Sequence, residues 1–65
     1  MNDDELIELM AEAAFNEFSK KPERWKRQKK AGDEMIDVVS PAVKIAFRNE
    51  ARAVLAAMRM ARVTI

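Results

Sequence analysis

The sequence has no cysteine, no histidine and no tyrosine, one glycine, two prolines and a single tryptophan. Without cysteine there is no disulfide framework and no thiolate metal site. Without histidine the commonest transition-metal ligand and the usual proton shuttle near neutral pH are both missing. No apolar run approaches the ~20 residues needed to span a bilayer, which predicts no membrane association. The amino terminus is acidic where a secretory leader would be basic, so the expected compartment is the cytoplasm. A chain of 65 residues buries only about 60% of the surface that its unfolded form exposes. Small domains without covalent or metal staples often oligomerise instead.

What is present is charge, arranged in blocks. Residues 1–19 carry six acids and no base, residues 20–30 seven bases and one acid, residues 31–43 three acids, and residues 44–65 five bases and one acid. Alternating blocks of this kind orient segments against one another within a fold or across a dimer. They add little stability, because an exposed ion pair contributes only ~0–1 kcal/mol.

The longest periodic stretch is SPAVKIAFRNEARAVLAAMRMAR, from Ser40 to Arg62. Ser40 is an N-cap residue and Pro41 suits the first helical position, where a missing N–H costs nothing. Val43, Phe47, Ala51, Val54, Leu55, Met58 and Ala61 recur at steps of three and four, with Lys44, Arg48, Arg52, Arg59 and Arg62 gathered towards the other side. This predicts an amphipathic helix over 41–62, with Phe47 in the core and the β-branched Val63, Thr64 and Ile65 fraying. A first helix is expected over 3–19, capped by Asn2 or Asp3 and with acids in its first turn. Leu6, Ile7, Met10, Ala11, Ala14, Phe15 and Phe18 form its apolar stripe, and Phe15 and Phe18 are its expected core anchors.

Between these helices Lys20-Lys21-Pro22 ends the first. A short basic helix is expected over 22–30, on the surface with Trp25 tucked inward, and Gly32 as the residue just past its end. Asp33 would cap a turn over 33–39, because a lone strand there has nothing to pair with. The fold class expected is therefore all-α: one small domain, residues 1–65, built as an antiparallel helical hairpin with a short basic helix between. The apolar residues of the long helix spread over more than one stripe, which predicts completion by a second copy in an antiparallel dimer or a higher oligomer.

No constellation for catalysis stands out. Glu5, Glu8 and Glu12 lie at helical spacing with no histidine, cysteine or phosphate-binding loop to work with, so the sequence predicts no enzyme and no cofactor. Asp33, Glu34 and Asp37 lack the ligand ladder and sixth-position glycine of an EF-hand. A helix-turn-helix placed on DEMIDVVSPAVKIAFRN puts Glu34 and Val38 where a small residue and a turn glycine are needed. The sharpest signal is KKPERWKRQKK. Lys20, Lys21, Arg24, Lys26, Arg27, Lys29 and Lys30 would neutralise phosphates while Trp25 stacks on a base, or they would form a solvated face that docks a protein.

At MAEAAFNEF, Trp25 and FRNEARAVLAAM the chain resembles a loose class of short, helical phage and prophage open reading frames of unknown function. Their general form is an acidic start, an Ala-rich helix bearing aromatics, a tryptophan-bearing middle and an Arg-Ala helix. The resemblance is compositional and carries no functional residue across, and the strongly basic middle departs from it. It implies an accessory protein in the host cytoplasm, a protein-interaction module that inhibits or sequesters a host defence factor or an anionic ligand. Nucleic-acid binding through residues 20–30 is the alternative.

Overall fold

A computed structural model describes the backbone of residues 1–21 and 23–64, with side chains as far as Arg62. Its elements are α1 (Asp3–Ser19), β1 (Gln28–Ala31), β2 (Glu34–Asp37) and α2 (Pro41–Thr64). Asn2 starts α1, its Oδ1 accepting the Glu5 N–H at 2.8 Å, and Asp3, Asp4 and Glu5 meet the positive end of the helix dipole. The helix stops at Lys20, whose left-handed φ of 58° lets its N–H reach the Asn16 carbonyl at 2.9 Å. Ser40 starts α2, its Oγ accepting the Val43 N–H at 3.3 Å.

The helices pack antiparallel, since Asp3, Glu8 and Phe15 of α1 meet Arg59, Arg48 and Phe47 of α2 in descending order. The core between them holds Ile7, Ala11 and Phe15 from α1, Ala51 and Leu55 from α2, and Trp25 and Val39 from the connection. Ala11 and Ala51 keep the contact close, and Ala11 is wholly buried. The Thr64 backbone is helical, so α2 continues past the expected end at 62. The expectations that Pro22 opens a helix and that Ile65 frays lie outside the described residues.

The all-α reading is overturned by the middle of the chain. Residues 28–30, expected to end a short helix, are strand, and residues 34–37, expected to form a turn, pair with them antiparallel. The fold is thus two packed helices joined through a β-hairpin, not a helical hairpin bridged by a helix. Three physical reasons decide this. Gly32 has a φ of +65° and Asp33 does not share it, the pattern of a two-residue type II′ turn whose first position demands glycine. A helix over 22–30 would stack Lys26, Lys29 and Lys30 on one face, and like charges at that spacing repel. In the hairpin Lys29 and Lys30 point to opposite faces, across from Ile36 and Met35.

The hairpin extends away from the helices, and residues 28–36 are all exposed. The molecule measures 53 × 22 × 20 Å, and its radius of gyration is 14.3 Å, against about 11 Å for a compact chain of this length.

Candidate interaction surface

Trp25 organises the side of the molecule where the connection meets the helices. Its ring is 1% exposed and lies against Phe15 and Phe47, with centroids 5.6 and 6.5 Å away. The indole Nε1–H donates to Glu8 Oε1 at 2.9 Å. Arg48 grips the same carboxylate twice, Nε to Oε2 at 2.7 Å and Nη2 to Oε1 at 3.0 Å. The Lys44 ammonium and the Arg48 guanidinium sit over the ring, 5.1 and 5.6 Å from a ring centroid. Lys44 also donates to Asp37 Oδ2 at 3.3 Å, and Gln28 donates to Asp37 Oδ1 at 3.3 Å. One polar chain therefore runs from α1 through α2 to both strands and ties the hairpin to the helices.

The electrostatics follow from these contacts. The Arg48 guanidinium holds the Glu8 carboxyl below its ordinary range; partial burial opposes this and the indole N–H adds to it. Gln28, then Lys44, lowers Asp37. Arg59 lowers Asp3 in the same way at the far end of the helices.

The basic stretch singled out in the sequence is divided by the fold. Trp25 is interior and already hydrogen-bonded, so it offers no surface for a base to stack on. Arg24 is half-buried at the rim of a groove between Phe18 and Val43. Lys20 pairs with Glu17 at 2.7 Å, Lys26 with Glu12 at 3.6 Å and Arg27 with Glu23 at 3.8 Å. Lys21, Lys29 and Lys30 are exposed and make no side-chain ion pair among the described residues. Lys26, Arg27, Lys29 and Lys30 thus lie along and beside β1.

That strand has an open edge. The Val38 N–H donates to the Arg27 carbonyl at 3.0 Å, so the alternation of an antiparallel ladder turns the N–H and C=O groups of Gln28 and Lys30 outward. The functional side chains that sequence reasoning missed are Glu8, Lys44 and Arg48, which it read as solvent-facing. The signal was present: Lys44, Arg48, Ala51 and Leu55 step by four, three and four, so the two cations share a row with the core.

Phe18 corrects another expectation. It is 76% exposed, whereas Phe15 is buried. Among the described residues no cluster of three or more acids could hold a metal ion. No helix among them is long and apolar enough to cross a membrane. Comparison with protein-family models, curated proteins and solved structures finds no match for this chain.

Proposed function

We propose that the chain is a non-enzymatic protein-interaction module that takes an acidic, extended segment of a partner protein along the open edge of β1. The observation that carries this reading is the burial of Trp25 at 1% exposure. The basic stretch is left with cations and free backbone groups but no ring for stacking. Sequence-tolerant binding of single strands draws on aromatic platforms as well as charge, so the geometry favours a protein over a nucleic acid. Strand addition draws affinity from main-chain hydrogen bonds and specificity from alternate side chains. Here Lys29 and Lys30 would meet acids on opposite faces of the added strand, and Lys26 and Arg27 would extend the positive field. In the phage-type accessory role that the sequence resemblance implies, the partner is a host protein.

The test is an amide-resolved NMR titration at low salt with a short peptide of Glu-Glu-Val-Val repeats, which sets acids on both faces of an added strand, against one of equal charge with proline at alternate positions. Proline removes the donors that a ladder needs. The Glu-Glu-Val-Val peptide should shift the amides of Gln28 and Lys30, the proline peptide should not, and Lys29→Glu with Lys30→Glu should abolish the response. Equal binding of both peptides would reduce the site to a charge patch. Binding of single-stranded DNA in preference to both would return the nucleic-acid reading.

A further inference from the structure

The helix pair has a second surface, on the flank away from Trp25. Glu8 and Glu12 mark the side of α1 that the connection covers, through Trp25 and Lys26. Leu6, Met10, Ala14 and Phe18 recur every fourth residue about half a turn away from them. On α2 the matching row is Val43, Phe47, Glu50, Val54 and Ala57, stepping by four and three as in a heptad seam. The two rows meet in a groove lined by Met10, Ala14, Phe47, Glu50, Ala51 and Val54. Apart from Glu50 this face is apolar, and it is open: Val43, Val54, Met58 and Phe18 are 38%, 46%, 57% and 76% exposed.

The molecule exposes 5207 Å², whereas a compact monomer of its mass exposes about 4,200 Å². The projecting hairpin and this open face share the excess, about 1,000 Å². Shape and charge argue for what covers the face. One end of the face carries a knob, the Phe18 ring, with Glu17 beside it in sequence. The other end carries a cleft lined by Leu6, Leu55, Met58, Arg59 and Arg62. Arg62 makes no ion pair among the described residues. Knob and cleft lie twelve residues apart on α1, about 18 Å along its axis. The apolar groove lies midway between them.

We propose that a second copy of this chain covers the face, forming an antiparallel four-helix dimer about a twofold axis through the groove. Phe18 of each copy fills the Leu6–Leu55–Met58 cleft of the other, and Glu17, in an exposed pair with its own Lys20, also meets the other copy's Arg62. Such an interface is isologous and closes on itself, with helix packing of the four-helix-bundle kind. It is independent of the β1 edge, and the dimer presents two basic hairpins.

Sedimentation equilibrium on the intact chain tests the proposal. Wild type should be dimeric at micromolar concentrations. Because Phe18 is exposed in the single chain, Phe18→Glu should keep the helical circular dichroism while weakening the dimer at least tenfold. Arg62→Glu should weaken it less, and adding Glu17→Arg to that variant should recover the loss. In mixtures, Phe18→Cys and Met58→Cys chains should cross-link to each other on oxidation, and Phe18→Cys alone should not. A monomer at every concentration, a Phe18→Glu dimer as tight as wild type, or self-cross-linking of Phe18→Cys alone would each overturn it.

Discussion

At the scale of single residues, Trp25 joins an apolar contact to a polar one, and the two are separable by substitution. Trp25→Ala removes a wholly buried ring and should cost about 3–5 kcal/mol, enough to abolish the cooperative thermal melt of so small a domain. Trp25→Phe keeps most of the packing but deletes the donor to Glu8, so the melt should remain cooperative with a loss of about 1–2 kcal/mol. In a domain of this size each kcal/mol corresponds to roughly 4–8 °C in Tm. In the folded protein Trp25 fluorescence should be shielded from acrylamide, and single-stranded DNA should leave the spectrum unchanged. Quenching by DNA would mean that the indole is reachable by a base.

The elements differ in how they are held. Each helix has a side-chain cap at its start and a buried face, so α1 and α2 support each other. Ser40→Ala should cost about 0.5–2 kcal/mol, seen as a lower Tm for the whole domain. The hairpin has only its ladder, the Asp37 contacts and Gly32, and two strands alone are marginal in water. A methyl group at Gly32 would meet no atom within 4 Å, so substitution there is purely a backbone matter. Gly32→Ala should cost the hairpin about 1–2 kcal/mol for its left-handed φ. Hydrogen exchange should quicken at the ladder amides of residues 28–37 and stay slow in the helices. A D-alanine at the same position, made by chemical synthesis, should restore protection.

For the molecule as a whole, the depressed carboxyls set the response to acid. Glu8, Asp37 and Asp3 all have folded-state pKa values below their ordinary ones. Their ionised forms are favoured by folding, so the stability they contribute is fully present above the usual carboxylate pKa of about 4. It is lost as pH falls through the lower folded values. Denaturant melts should therefore show a constant midpoint from neutral pH down to about pH 5 and a falling one below about pH 4. Glu8→Gln should lower the midpoint near neutral pH and flatten the acid slope. An unchanged slope would remove Glu8 from the cause. The exposed Asp3–Arg59 pair is screened by water, so its share of the slope should shrink with added salt.

The sequence by itself contains the signals that start and face the helices. Asn2 and Ser40 both act as caps in the structure, and the spacing of Ile7, Ala11 and Phe15 turns those side chains inward. These are local effects, written within one or two turns of chain. The Gly32-Asp33 pair between Gln28–Ala31 and Glu34–Asp37 is also a local hairpin signal. Lys29 and Lys30 also suit a helix end, and a helix there leaves β2 without a partner. Three other features depend on contacts distant in sequence. The row Lys44, Arg48, Ala51 and Leu55 faces inward because Trp25 offers its ring, and Glu8 and Asp37 their carboxylates, to the two cations. Phe18 stays exposed because the core closes on Phe15, and Trp25, inward as expected, is sealed by Phe15, Phe47 and Glu8 so fully that it is no contact. In each case periodicity defines which side chains share a face, and only the arrangement of the other elements decides which face is covered.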